Sequence, residues 1–298
     1  ITFMQKDNIM QKIYLLPYLI ILDIKRKIFG TKYFAEVDVT DNCNLRCKHC
    51  YHFNGKKDFK SKELPLEVWG KRFNDLHKNG VRFILLVGGE PALRKDVLML
   101  ADKIFPFIHI ITNGTLRISS NFNHLLFISL DGGQKTNDSI RGKGVYSKII
   151  DNYKGDTRVV INMTLNKDNY RELENVVKIA KENGFRGVVC NIYTPTIGEK
   201  SNLFIGKKER KLIIKELRRV KSKYPNHFLL TKSMIKWYEF PNHIGFCHWG
   251  DEALHFDVSW KTRRCFTGLD CSNCGCLAGA TQNPLKLLRK PKEMIKLI

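Results

Sequence analysis

The chain has 298 residues, 43% of them hydrophobic and 11% aromatic, which is enough for one large core plus a small appendage. That composition excludes a disordered chain, and no apolar run reaches the length of a membrane span. The formal net charge of +22 comes from lysines spread along the whole chain, with no basic block interleaved with stacking aromatics; it reads as a solvated surface and argues against a nucleic-acid partner. Nine cysteines without a secretory signal predict a reducing, cytoplasmic setting and metal ligation, not disulfides.

Residues 1–33 form a segment of their own, with the apolar run Ile13–Leu22 followed by Lys25-Arg26-Lys27. The run is too short to span a bilayer and holds Pro17. It predicts a helix packed over the following domain or its open edge; the alternative is an interfacial segment touching a membrane peripherally through its basic flank.

Residues 34–232 alternate strand and helix. Strands are predicted at Phe34–Thr40, Phe83–Val87, Ile108–Thr112, Leu125–Leu130, Val159–Leu165 and Val188–Tyr193, and helices at Leu66–Asn79, Lys95–Phe105, Val145–Tyr153, Tyr170–Asn183 and Lys207–Tyr224. Such a rhythm predicts right-handed βα units on a parallel sheet. Six units are two short of a closed eight-unit barrel, so the expected fold is α/β, a partial (βα)6 TIM-like barrel. Residues 233–298 read as a small cysteine-rich C-terminal extension, with a hairpin-like stretch over Ala253–Trp260.

Functional residues of such barrels gather at the carboxyl ends of the strands. After the first strand comes Cys43-x3-Cys47-x2-Cys50, with His49 inside it. Three thiolates can hold three irons of a 4Fe–4S cube and leave the fourth open to a small ligand; zinc, with His49 or a distant residue as fourth ligand, is the alternative. Gly88-Gly89-Glu90-Pro91 follows the second strand, where two glycines let backbone approach a ligand closely and Glu90 offers acceptors for an ammonium group. Thr112-Asn113-Gly114-Thr115 follows the third strand, and Ser129-Leu130-Asp131-Gly132-Gly133 the fourth. Arg141 lies in the run Ser139–Gly144, and Asn162 lies on the fifth strand.

In this order, from residue 34 to about 224, these motifs resemble the radical S-adenosylmethionine (SAM) superfamily. The resemblance implies that Cys43, Cys47 and Cys50 carry the catalytic 4Fe–4S cluster and that SAM chelates its open iron. It places SAM's amino group at Gly88, Gly89, Glu90 and Pro91, and counts Asn113 among the SAM-binding residues. It further puts SAM's ribose or methionine portion at Ser129 and Asn162, its carboxylate on the forked donors of Arg141, and its adenine against His49. An external electron donor such as ferredoxin or flavodoxin would reduce the cluster, and SAM would be cleaved to a 5′-deoxyadenosyl radical that abstracts hydrogen from substrate.

Cys247, Cys265, Cys271, Cys274 and Cys276 resemble a shortened form of the SPASM and twitch extensions of that superfamily. This implies a second, auxiliary 4Fe–4S cluster on four of the five. Cys247, Cys265, Cys271 and Cys274 are the first choice, Cys276 contends equally for the last place or serves as a substrate-facing ligand, and a zinc knob is the alternative. Cys190, on the sixth strand, reads as a small buried hydrophobe. For function the resemblance implies peptide or cofactor maturation. Radical modification of a membrane lipid is the second reading, and a non-catalytic iron–sulfur or zinc protein is a reading of another class.

Overall fold

The computed structural model describes residues 28–53 and 63–278, apart from 245–246, 248, 251–252, 264 and 266–268, together with 21–22 and 24–25. Most of the apolar run of the first segment, residues 13–20, and the tail 279–298 lie outside the described residues.

Seven strands form one parallel sheet. In chain order the elements are β1 (Phe34–Asp38), α1 (Leu66–Lys78), β2 (Phe83–Val87), α2 (Lys95–Ile104), β3 (Phe107–Thr112), β4 (Leu125–Ser129), α3 (Gln134–Arg141), α4 (Val145–Tyr153), β5 (Val159–Leu165), α5 (Leu173–Glu182), β6 (Gly187–Ile192), α6 (Lys207–Lys223), α7 (Lys232–Trp237) and β7 (Leu254–Phe256). The strand order is β6-β5-β4-β3-β2-β1-β7. The partial βα barrel expected from the sequence is present, and β7, from beyond residue 232, adds a strand in parallel to β1.

β2 reads Phe-Ile-Leu-Leu-Val and is buried throughout, because both of its faces are covered. On one side Ile84 and Leu86 join Ala35, Val37, Trp69, Phe73, Val97, Leu98 and Ala101 in the main core beneath α1 and α2. On the other, inner face, Leu85 and Val87 pack with Trp249 and Ala253 from the C-terminal segment. The parallel register places Phe34, Phe83 and Phe107 in one row across β1, β2 and β3. Their rings stack at 5.9 and 4.3 Å, and Trp249 meets Phe34 edge-on at 4.4 Å. Each fully buried large apolar side chain contributes about 1.5–3 kcal/mol, so the C-terminal segment is bound into the core by its own aromatics. Trp260 repeats this outside the sheet, 5.4 Å from Trp69 and 4.6 Å from Phe256.

Two differences from the expected elements have plain causes. The Tyr170–Asn183 helix begins as a 3-10 turn at Tyr170–Glu172, and the α-helix starts at Leu173, the first residue of that stretch buried in the core. Helix α3 is unanticipated because its sequence, Gln-Lys-Thr-Asn-Asp-Ser-Ile-Arg, has a single apolar residue; its buried face is Asn137, Ile140 and Arg141. A hairpin is present, but its second arm is Lys261–Arg263, past the expected end at Trp260, with an antiparallel bridge between Phe256 and Thr262, while β7 pairs in parallel with β1.

Candidate active site

The loop after β1 is pressed against the loop after β2. Gly89 N–H donates to Thr40 O at 2.7 Å, and Glu90 N–H donates to Asn42 O at 2.8 Å. No side chain fits there: a Cβ on Gly89 would lie 2.2 Å from Asn42 O, and one on Gly88, whose φ is +122°, 2.5 Å from Thr40 O. Both glycines are thus required by close backbone approach. Glu90 is buried, and its carboxylate is engaged: Oε1 accepts from Ala92 N–H (2.9 Å) and Thr112 Oγ1 (2.6 Å), Oε2 from Asn113 N–H (2.7 Å). Burial pushes its pKa up against these donors. Pro91 opens the short 3-10 turn that follows. Asn113 Nδ2 donates to Asn44 Oδ1 (2.8 Å) and lies 3.8 Å from Cys43 Sγ, so β3 also reaches the cysteine loop.

On the other flank of the loop the organiser is Asp131, just past β4 and wholly buried. Its carboxylate accepts from Thr164 N–H (2.8 Å) and pairs with Arg141 Nε (2.6 Å) and His49 Nε2 (3.1 Å). Burial works against the charge, but Arg141 and His49 outweigh it and hold the carboxyl well below the usual range. Arg141 Nη1 lies 3.9 Å from Cys47 Sγ, and Lys48 N–H donates to Ile140 O at 3.0 Å. Helix α3 therefore ends against the cysteine loop. Asp131 belongs to the Ser129–Gly133 run but was not singled out from sequence; a lone acid at the carboxyl end of an apolar strand was the available signal.

Ser129 and Asn162 are register partners on β4 and β5. Asn191 on β6 donates from Nδ2 to Asn162 Oδ1 (2.8 Å), and its Oδ1 accepts Leu277 N–H (2.8 Å), one residue past Cys276. Cys190 is fully buried, as expected of a small core side chain, and its carbonyl accepts Tyr238 Oη at 2.6 Å.

The C-terminal cysteines are brought back onto the inner end of the sheet. Cys247 and Cys265 pack beside Leu85, Val87 and Trp249. Gly275 O accepts Ile192 N–H at 2.9 Å, and Gly275 N–H donates to Thr194 Oγ1 at 2.8 Å. A Cβ on Gly275 would stand 2.1 Å from Ile192 O. Buried Arg210 of α6 donates to the carbonyls of Tyr238 (3.0 Å), Asn273 (3.2 Å) and Cys274 (3.3 Å).

Two groups of thiols result. Cys47 is pushed up to about 11 by burial, with Cys50, Asp131 and Cys43 adding to the rise and Arg141 opposing it. Burial likewise raises Cys43, helped by Glu90 and Cys50. In the second group burial pushes Cys274 to about 11, with Cys247 and Cys271 adding, while Cys276 is raised by burial, Cys265 and Cys274. Among the described residues no three His, Cys, Asp or Glu side chains already meet at a common metal-sized point. The donor chemistry nevertheless fits a thiophilic metal: buried thiols that suppress one another's ionisation become thiolates beside a cation. The side-chain-free cradle at Gly88 and Gly89, and a buried His49 Nδ1 with no hydrogen-bond partner, fit a ligand lying over the loop.

A sequence profile described as the Radical SAM superfamily matches residues 37–202. Pre-heme d1 synthase of Dinoroseobacter shibae is 30% identical over 162 residues, covering 49% of this chain and 40% of that protein. The sporulation killing factor maturation protein SkfB of Bacillus subtilis is 30% identical over 157 residues, covering 48% and 38%. The chain thus matches these curated relatives over about two fifths of their length. In fold it is similar to native anSMEcpe with bound AdoMet (TM-score 0.63, 18% identity, 89% of this chain and 83% of that one). It is also similar to Streptococcus suis SuiB bound to its precursor peptide SuiA (TM-score 0.59, 16% identity, 88% and 70%).

Proposed function

The chain belongs to the radical SAM superfamily, and on that premise we propose that it is an enzyme of peptide or cofactor maturation. The reading is carried by one observation: loops from β1, β2, β3 and β4 meet at Cys43, Cys47 and Cys50, joined through Gly89, Glu90, Asn113 and Asp131. When bound, a 4Fe–4S cluster and SAM would supply radical hydrogen abstraction, with Cys43, Cys47 and Cys50 holding the cluster.

In this reading the three thiolates hold the cluster, and an external ferredoxin or flavodoxin provides the electron. The Gly88–Pro91 turn offers backbone at close range to the methionine end of SAM. Arg141, held by Asp131, presents its remaining guanidinium donors to the carboxylate. His49, fixed by the same aspartate, offers its ring to adenine. Ser129 and Asn162 bind the rest. Four of Cys247, Cys265, Cys271, Cys274 and Cys276 hold a second cluster in the extension over 233–298, appended to the core over 34–232. Maturation is supported by the names of the relatives, which include pre-heme d1 synthase, SkfB and mycofactocin maturase MftC of Mycolicibacterium smegmatis.

A second reading, modification of a membrane lipid, is favoured by exposed Ile24, Ile28 and Phe29 beside Lys25 at the start of the described residues. Among those residues no helix is long and apolar enough to cross a membrane. Co-sedimentation with anionic liposomes, with and without residues 1–30, separates the two: truncation-sensitive binding favours lipid, and indifference removes it.

The central test is iron, sulfide and zinc content after anaerobic reconstitution, with an assay for 5′-deoxyadenosine, on the parent and a Cys43/Cys47/Cys50→Ala variant. About eight irons in the parent, about four in the variant and deoxyadenosine from the parent alone are expected. Absence of both iron and deoxyadenosine from the parent refutes the proposal.

A further inference from the structure

Two side chains of the C-terminal cysteine-rich segment, Trp249 and Arg263, meet on one carboxylate of the barrel. Glu36, on the inner face of β1, is wholly buried. Its Oε2 accepts Trp249 Nε1–H at 3.0 Å, and its Oε1 accepts from Arg263 Nη2 at 2.8 Å. The same nitrogen reaches Asp38 Oδ1 at 3.0 Å, while Arg263 Nε and Nη1 have no hydrogen-bond partner. His255 of β7 lies 3.7 Å from Oε2 through Nδ1, and its Nε2 is 2.9 Å from Trp249 O. Burial disfavours the charge on Glu36, but His255 and Arg263 prevail and keep the carboxyl below its usual range.

Two thiols bracket these partners in the chain. Trp249 lies two residues after Cys247, and Arg263 two residues before Cys265. Both cysteines pack on the apolar cluster of Leu85, Val87 and Trp249. Among the described residues between them, the regular structure is a helical start at Trp249–Gly250 and the three residues of β7, and both are tied to the sheet at Glu36 and β1.

We propose that Glu36 is a positioning residue, which fixes Cys247 and Cys265 at the separation a shared metal centre requires by holding Trp249 and Arg263 on one buried carboxylate. The inference rests on the reading of these cysteines as metal ligands. Because Glu36 stands on the strand that runs into the Cys43 loop, it also ties the second centre to the first through β1 and not through a hinge.

The test uses the full chain in a Cys43/Cys47/Cys50→Ala background, reconstituted anaerobically. Glu36→Gln keeps the shape and removes the charge, Trp249→Phe keeps the packing and removes one donor, and Arg263→Lys removes the fork. Chelator competition gives metal affinity, and electron paramagnetic resonance gives the spectrum and midpoint potential of the C-terminal centre. A fall in affinity of about tenfold or more with a changed spectrum is expected for Glu36→Gln, and a smaller change for Trp249→Phe. In the opposite background, with the five C-terminal cysteines replaced, Glu36→Gln leaves the Cys43–Cys50 centre intact. Should Glu36→Gln fail to fold, the other two variants decide the matter by the same readouts. Unchanged affinity and spectrum in folded variants, or equal damage to both centres, overturns the proposal. If the background takes up zinc and no iron, the cluster reading falls, and zinc affinity still decides the role of Glu36: weakened supports it, unchanged refutes it.

Discussion

Replacing Asp131 with Asn removes one charge from the point on which His49, Arg141 and Thr164 converge. Asn is the same size, and its one carbonyl can still accept Thr164 N–H, so packing and that bond survive. Lost is the partner of Arg141, whose side chain is 8% exposed and pairs with Asp131 through Nε at 2.6 Å. A buried charge stripped of its counter-ion costs about 3–5 kcal/mol, against about 5–15 kcal/mol for a whole domain. For a chain of this size that is a drop on the order of 10 °C in melting temperature. Because the folded carboxyl is held low, its contribution is present above the free-aspartate value of about 3.9. It is lost as pH falls through the much lower folded value. The part of the gap between parent and variant that this carboxyl's own titration supplies is therefore in place above about pH 4 and closes below it. The assay is anaerobic thermal and urea denaturation of the metal-free protein across that range, with Arg141→Met completing a double-mutant cycle. The double variant is expected to be more stable than Asp131→Asn alone, with a coupling of about 1–3 kcal/mol. A single variant within about 0.5 kcal/mol of the parent, or a cycle additive to the same margin, refutes the reasoning.

Three further outcomes follow from the geometry. Gly89→Ala sets a Cβ 2.2 Å from Asn42 O, so the cysteine loop must shift; a folded variant with little iron at Cys43, Cys47 and Cys50 is expected, and full iron loading would contradict it. Asp38 is pushed up to about 6, chiefly by burial. A raised carboxyl destabilises the fold as pH climbs from about 3.9 to 6, by about 3 kcal/mol in all. Asp38→Asn should therefore gain on the metal-free parent over that range, whereas parallel melting curves would exclude it. Arg210→Met withdraws the donors from the Tyr238, Asn273 and Cys274 carbonyls. At about 1–3 kcal/mol for each buried acceptor left bare, the loss of about four irons with retained deoxyadenosine formation is the expected result; a full iron complement would count against it.

The strands were legible because β2, β5 and β6 are apolar runs that only a sheet covered on both faces accommodates. The cysteine spacings were legible because metal chemistry tolerates few patterns. Less visible were the residues whose role exists only between distant segments. Glu36 and Arg263 are 227 positions apart, and nothing near either announces the other. Two acids on one face of an otherwise apolar strand, Glu36 and Asp38, were the available hint. Helix α3 escaped because it buries Asn137 and Arg141 where a helix ordinarily buries Leu. Apolar periodicity is blind to a helix whose inner face is built for polar work.

The sheet is not closed, yet its two outermost strands are not bare. β7 folds back on Thr262. Along β6, His227–Leu229 pair at Val188 and Gly275 pairs at Ile192, and just past the strand Leu269 and Asp270 pair with Thr196 and Pro195. Exposed strand edges invite foreign chains to pair with them, and here the protein's own backbone occupies those positions. An extended peptide lining up beside β6 would have to displace this backbone at Val188 and Ile192. If the substrate is the peptide proposed above, its side chains would then carry its recognition, and sequence changes in such a guest would be felt residue by residue, not averaged over a shared backbone register.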